Sequence, residues 1–358
     1  MPYTLLIKNC GQILTMKWES PKRGKEMSNI GMIKDGFVAC EGDKIVRVGR
    51  MKELKKAEVS KQIFGKTRII DANGKVVMPG LIDCHTHLVF AGNRADEFKQ
   101  RLSGESYLDI LADGGGILNT VKLTRKASKN ELLKNALRHL NDFLSFGITT
   151  VEAKTGYGLD LKNELKILEV TREAGKRQPV RLVPTFLGAH AVPAEFRDDP
   201  RGYLRFLMQE VLPKIQGKVE FVDIFCEKKV FSAWQSKKYL KFAKKLGFKL
   251  KIHGEQISRL GACKMAGKLG AVSCDHCDHM TDRDIKKLSK MNTVCVLLPL
   301  VRLFLKEDGC ADGRKMIDFG LPIAVATDFN PGTAPSKNIF LAMSLACLEM
   351  GLSFEEVL

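Results

Sequence analysis

From residue 76 to residue 327 the chain repeats one pattern eight times, a short apolar run followed by a longer stretch of helical periodicity. The runs are 76–84, 147–154, 180–188, 219–226, 248–253, 271–275, 293–299 and 322–327, and amphipathic stretches such as 129–146, 161–174, 233–246 and 257–268 fill the gaps. Short apolar runs read as strands buried on both faces, and the stretches between them as helices with one face on the sheet. Eight consecutive βα units predict an α/β fold, a (β/α)8 barrel. Residues 3–72 follow a different rhythm. Short strands at 4–7, 13–16, 36–41, 44–48 and 68–71 alternate with turn signals such as Glu41-Gly42-Asp43 and Asp71-Ala72-Asn73-Gly74, and 52–61 is the one helical candidate. The expected organisation is therefore a small N-terminal β-sandwich unit over 1–75 and a barrel over 76–358.

Composition narrows the partners. The chain has 358 residues and a net charge of +17. Its basic residues sit as pairs on predicted helices, Lys237-Lys238 and Lys244-Lys245 among them, without a basic arm or an interleaved aromatic array. That pattern is a solvated surface and not a nucleic-acid footprint. The N-terminus lacks the basic and apolar segments of a signal peptide, and no apolar run is long enough to span a bilayer. Ten cysteines are scattered singly, as small buried hydrophobes of a reducing compartment, so a soluble cytoplasmic protein is expected. Cys274-Asp275-His276-Cys277 has C-x-x-C spacing, but no second pair stands at zinc-ribbon distance, so no structural zinc is expected there.

In a (β/α)8 barrel the chemistry gathers at the C-terminal ends of the strands. The first run ends in His85-Thr86-His87, the second in Lys154-Thr155-Gly156-Tyr157, and the third is followed by His190. The fifth ends in His253-Gly254-Glu255-Gln256, the sixth in Asp275-His276, and the eighth in Asp328-Phe329-Asn330. Five of the seven histidines fall at such ends, leaving His139 and His279 as packing or surface residues.

Histidines at i and i+2 of a strand end point the same way, although a bare H-x-H carries little weight alone. His253 and Asp328 supply the rest. Three imidazoles and a carboxylate make a mononuclear site for zinc or iron with room for water. A cation there brings the pKa of water toward neutrality. Asp328 beside it stays ionised and can shuttle a proton, while His276 can hydrogen-bond the water or position a substrate oxygen. Strand four ends in Cys226-Glu227-Lys228 and not in a bridging group, so one metal is expected. The reaction class that follows is hydrolytic attack on the sp² carbon of an amide, cyclic amide or amidine. The triple glycine 114–116 lacks the strand-to-helix setting of a phosphate loop and reads as a flexible loop near the mouth.

Nine segments, in order through the barrel, resemble the imidazolonepropionases of the amidohydrolase superfamily. They are H-T-H-L-V-F-A-G-N-R (85–94), R-L-S-G-E-S-Y (101–107), G-G-G-I (114–117), E-A-K-T-G-Y-G-L (152–159), T-F-L-G-A-H-A-V-P (185–193), V-D-I-F-C-E (222–227), K-I-H-G-E-Q (251–256), S-C-D-H (273–276) and A-T-D-F-N-P-G-T (326–333). E-A-K-T-G-Y-G and T-F-L-G-A-H-A-V-P are specific to this family, whereas H-x-H and a late Asp are common to the superfamily. The resemblance implies ring-opening hydrolysis of 4-imidazolone-5-propanoate to N-formimidoyl-L-glutamate, in histidine degradation, by a cytoplasmic homodimer. It implies that His85, His87, His253 and Asp328 hold the metal. It also implies that Arg94, Tyr157, His190, Gln256, Asn330, Gly332 and Thr333 line the substrate pocket. Either the Arg94 fork or the backbone N–H groups of the 330–333 turn can take the propionate, and His276, Asp328 and Glu255 are the candidate bases.

Three departures mark this chain. Gln256 stands where a deaminase of the superfamily would carry a glutamate as proton shuttle, which speaks against deamination. Pro299 is followed by Leu300-Val301-Arg302 where the family has a glycine, so a different local pocket wall is expected. The chain ends at Leu358 in a predicted helix, without the segment that in such proteins returns to complete the N-terminal β-unit, so exposed apolar surface or an unpaired strand edge is expected. Two rival readings accompany the hydrolase: a deaminase of a cyclic amidine, and a truncated, inactive homologue kept as a binding module. A missing ligand would mark the second, and none is missing.

Overall fold

The computed structural model describes residues 3–18, 20–54, 67–105, 110, 115–306 and 309–358. The chain groups into two compact units, one of Met1–Lys22, Glu26–Gly80 and Leu358, the other of Arg23–Lys25 and Leu81–Val357.

The first unit is built on one five-stranded sheet. β1 (Leu5–Leu14) lies antiparallel to β2 (Met32–Glu41), which continues through the Gly42 turn into β3 (Lys44–Arg50). β4 (Arg68–Asp71) and β5 (Val76–Val77) run parallel to β1 on its other side. The strands expected at 4–7 and 13–16 are a single strand, because a bulge between Ile7 and Cys10, with Asn9 at φ 55°, carries the chain through without a break. Leu6, Phe37 and Ala39 pack on one face, and Cys10, Ile13 and Val38 on the other. The outer strands β3 and β4 leave Ile45, Val48, Ile69 and Ile70 exposed. Of the helical candidate at 52–61, a 3-10 turn at Met51–Glu53 is seen, and 55–61 lie outside the described residues.

The second unit is the expected barrel. Eight parallel strands follow one another in chain order: β6 (Leu81–Asp83), β7 (Ile148–Lys154), β8 (Arg181–Ala189), β9 (Phe221–Cys226), β10 (Lys249–Gly254), β11 (Ser273–His276), β12 (Val294–Leu297) and β13 (Ile323–Val325). A parallel bridge between Thr86 and Phe329, with His87 N–H donating to the Phe329 carbonyl at 2.8 Å, joins the last strand end to the first. The run expected as one strand at 76–84 serves two sheets: Val76–Val77 belongs to the first unit and Leu81–Asp83 to the barrel. Pro79-Gly80 separates them, since proline has no N–H to give a ladder.

Helices Lys129–Ser145 and Ala233–Lys245 begin in capping boxes set by Ser128 with Glu131 and by Ser232 with Gln235. The helix expected over 257–268 starts only at Ala262. Two buried carboxylates hold the preceding loop in place of a helical turn. Glu227 accepts from the N–H groups of Ile257 and Ser258, and Glu255 from those of Leu260, Ala262 and Cys263. The cysteines are less solitary than expected, with Cys263 facing Cys274 in disulfide-bonding contact (Cα–Cα 5.4 Å). Among the described residues no helix is long and apolar enough to cross a membrane.

Candidate active site

Strand ends deliver the site. Glu255 (φ 54°) and Asp328 (φ 52°), beyond their strands, and His276 (φ 81°), the last residue of β11, all take left-handed backbone. Non-glycine residues adopt it at a cost that the surrounding structure must hold, and such positions concentrate at functional sites. His85, His87 and His253 bring their ring nitrogens within 4.8 Å of one another, all buried. Asp328 Oδ1 lies 3.2 Å from His85 Nε2 and 3.4 Å from His87 Nε2. His276 joins His85 and Asp328 in a second grouping of the same reach.

Behind these side chains lies a network to which the sequence reading assigned no role. His85 Nδ1 is 2.6 Å from Asp275 Oδ2, and His253 Nδ1 is 3.1 Å from Asp223 Oδ2. Both carboxylates meet Lys154 Nζ, at 3.2 Å and 2.8 Å, and Glu152 lies 3.1 Å from the same ammonium group. Lys251 Nζ reaches Glu152 at 2.7 Å. Burial works against the charge on Lys154, but Asp223, Glu152 and Asp275 outweigh it and hold its pKa well above the ordinary lysine value. Burial and Lys154 likewise oppose a charged His85, yet Asp275 and Asp328 raise its pKa on balance.

The set fits a cation. Asp275 takes the Nδ1 proton of His85, so its Nε2 presents a lone pair, and the Asp223 carboxylate stands beside His253 Nδ1. His85 Nε2, His253 Nε2 and Asp328 Oδ1 are buried without a hydrogen-bond partner. Such atoms are rarely left so. Three carboxylates, Glu152, Asp223 and Asp275, face two ammonium groups, Lys154 and Lys251, and Asp328 adds a further negative charge. The imidazoles of His85 and His87 beside it outweigh burial and hold the Asp328 carboxyl well below the usual range. Burial lowers His87 to about 4, and takes His190 and His276 well below the ordinary histidine value, so these imidazoles are neutral at pH 7.

A cleft opens over this cluster. It is lined by His87, Arg94, Tyr157, His190, Gln256, His276, Asp328, Asn330 and Thr333 from the sequence reading, and by Ile117, Phe225, Ile257 and Leu305, which that reading missed. His190 Nδ1 lies 3.1 Å from the Gly156 carbonyl. A carbonyl only accepts, so the proton is on Nδ1 and Nε2 is an acceptor. Arg94 is buried, with Nε 2.7 Å from Glu97 Oε2 and Nη2 unpartnered. Gly332 is not on the wall. Its N–H and that of Thr333 both donate at 2.8 Å to Asn330 Oδ1, so the turn closes on its own side chain instead of facing the cleft.

Glu255 differs from expectation. Its oxygens are spent on the loop and helix N–H groups described above, and it does not line the cleft. Glu227, at the end of strand four, likewise holds backbone N–H groups. Of the triple glycine, Gly114 lies outside the described residues, while Gly116 caps helix Ile117–Lys126 and donates its N–H to Glu97 Oε1 at 3.1 Å. Pro299 opens helix Pro299–Leu305, whose Leu305 forms part of the cleft wall.

An eight-stranded parallel barrel with this histidine and aspartate set at its C-terminal mouth defines the chain as an amidohydrolase-type enzyme. Comparison with solved structures agrees on the fold. A triazine hydrolase variant matches with a TM-score of 0.69 at 17% identity, over 96% of this chain and 75% of that one. Guanine deaminase from C. acetobutylicum matches with a TM-score of 0.69 at 15% identity, over 98% and 83%. Atrazine chlorohydrolase from Arthrobacter aurescens, complexed with zinc, matches at 0.61 and 18%, over 96% and 76%. No family model matches the chain. Among curated proteins, the imidazolonepropionase of Alkaliphilus metalliredigens is 46% identical over 100% of this chain and 84% of its own length. That of Bacillus cytotoxicus is 48% identical over 99% and 82%. The chain belongs to the imidazolonepropionase family.

Proposed function

We propose that the chain hydrolyses 4-imidazolone-5-propanoate to N-formimidoyl-L-glutamate, the ring-opening step of histidine degradation, with one divalent metal ion held by His85, His87, His253 and Asp328. The observation that carries the reading is the cluster of buried, unpartnered ligand atoms beneath a cleft whose unpaired donor is Arg94 Nη2. The metal, zinc or iron, would polarise water and bring its pKa toward neutrality. Three imidazoles suit either ion.

The residues do the rest. Arg94 binds the propionate through its free Nη edge, a charge-assisted contact, while Glu97 fixes its Nε. This favours the arginine over the 330–333 turn, whose N–H groups are occupied. His190, an acceptor at Nε2, takes the ring N–H. His276, neutral, donates to the ring carbonyl oxygen and stabilises the charge that grows there as the acyl carbon becomes tetrahedral. Asp328, ionised, accepts a proton from the attacking water and passes it to the departing ring nitrogen. The acyl C–N bond breaks, water oxygen stays on the new carboxylate, and the freed nitrogen leaves as the formimidoyl group. Gln256 borders the cleft but exchanges no proton.

Loss of 4-imidazolone-5-propanoate, followed by ultraviolet absorbance, tests the proposal together with the His253→Ala and Asp328→Asn variants. Conversion by the metal-loaded enzyme that both variants abolish supports it. Ammonia release from guanine would favour the deaminase instead. A cytoplasmic homodimer is the setting we infer, and sedimentation of the purified protein tests the dimer.

A further inference from the structure

We propose that Glu164 is a positioning residue for the reaction: through the loop that follows β7 it fixes the orientation and the tautomer of His190. The inference rests on the ring-opening reading, in which His190 Nε2 accepts the ring N–H of the substrate. Glu164 stands in the first turns of the helix Leu161–Arg177 and is fully buried. Its carboxylate gathers the loop. Oε1 accepts from the N–H groups of Gly158 and Leu159, both at 2.8 Å, and Gly156 N–H lies 3.2 Å from each carboxylate oxygen. The carbonyl of the same Gly156 takes the Nδ1 proton of His190 at 3.1 Å. One glycine therefore stands between the buried carboxylate and the imidazole.

The fit leaves little room. A Cβ at Gly156 (φ 108°) would fall 2.6 Å from the Leu187 carbonyl oxygen and 3.0 Å from His190 Nδ1, and one at Gly158 would fall 2.8 Å from Glu164 Oε1. Glycine at both positions lets the loop lie against the two side chains it connects. Tyr203 Oη, 3.2 Å from the Leu159 carbonyl oxygen and 2.7 Å from that of Gly188, ties the loop to the end of β8, from which His190 follows. The helix does not need Glu164 for its own start. Asp160 caps it, accepting from the Asn163 N–H at 2.7 Å. Burying a carboxylate is costly, and here the loop N–H groups offset that cost. The return is at the cleft. With its Nδ1 proton committed to Gly156, His190 keeps Nε2 as an acceptor. Without the hold of Glu164 on Gly156, that carbonyl shifts and the other tautomer, which cannot accept at Nε2, becomes populated.

A double-mutant cycle on the metal-loaded enzyme tests this. Glu164→Gln should raise KM for 4-imidazolone-5-propanoate by roughly 3–10-fold, the worth of one neutral hydrogen bond, and change kcat far less. In a His190→Ala background the same change should leave KM within about twofold, because the residue through which Glu164 acts is gone. Nitrogen-15 spectra of the histidine-labelled, zinc-loaded protein, with His190 assigned by its loss in His190→Ala, give the tautomer directly. We expect Nδ1–H alone in the wild type and a mixture in Glu164→Gln. Where Glu164→Gln fails to fold, Glu164→Asp, which keeps the charge and shortens the reach, carries the same cycle. An equal KM factor in both backgrounds would overturn the proposal, as would a His190 tautomer that the substitution leaves unchanged. A wild-type enzyme that does not turn over 4-imidazolone-5-propanoate would instead defeat the ring-opening reading, and the nitrogen spectra would still decide whether Glu164 governs His190.

Discussion

Gly332 is small because Arg94 lies against it. A Cβ there would fall 2.0 Å from Arg94 Nη1 and 2.3 Å from Cζ, so any side chain displaces the guanidinium. We predict that Gly332→Ala raises KM for 4-imidazolone-5-propanoate by roughly 10–100-fold, the worth of a charge-assisted hydrogen bond, and changes kcat far less. Steady-state kinetics on the folded variant checks the split. Asp328→Asn keeps the shape of the side chain but not its basicity, and kcat should fall by about 10²–10⁴ even where metal is retained. Residue types at strand ends were legible in the sequence because a barrel sends its chemistry there. Glu255 was not placed correctly, since one left-handed residue after His253 turns its carboxylate onto the loop and helix N–H groups.

Among the elements, the strands hold more than the end residues suggest. Glu152 and Lys154 alternate on β7, as do Lys251 and His253 on β10, so each pair points to one side. That alternation was readable. What it could not reveal is that the lysine of one strand sits between carboxylates of two others, because pairing across a barrel depends on stagger. Lys154 acts as a positioning residue, holding Asp223 and Asp275 against the ring nitrogens of His253 and His85. Lys154→Met leaves those carboxylates buried and uncompensated. It should cost about 3–5 kcal/mol of stability and lower metal affinity by roughly 10–100-fold. Thermal unfolding and competition with a chelator measure the two effects. The late start of the helix at Ala262 escaped the sequence for the same reason, being set by Glu227 from another strand.

For the molecule as a whole, the repeat of eight βα units carried the barrel, while the sharing of the first run between two sheets was hidden. Whole-chain stability should also show the mark of one buried residue. His139 stacks against Phe90 and packs edge-on to Phe329, at 5.3 Å and 4.9 Å. Burial, then Lys337 and Arg138, lower its pKa from 6.5 to about 3. The unfolded chain therefore binds a proton below pH 6.5 that the folded one refuses, so stability falls as pH drops from 6.5 toward 3, by at most about 1.4 kcal/mol per pH unit from this residue. Above pH 6.5 the residue contributes no slope. In His139→Phe this part of the acid sensitivity should vanish, which unfolding curves across the range would reveal.

In the proposed function, this cleft opens a cyclic amide and does not release ammonia. Mass analysis of the product formed from 4-imidazolone-5-propanoate by the metal-loaded protein, in parallel with an ammonia assay, tests it most directly. We expect a product heavier by one water, no ammonia, and no reaction after chelation until metal is restored. An unchanged substrate with folded, metal-loaded protein, or ammonia released in step with substrate loss, would contradict it.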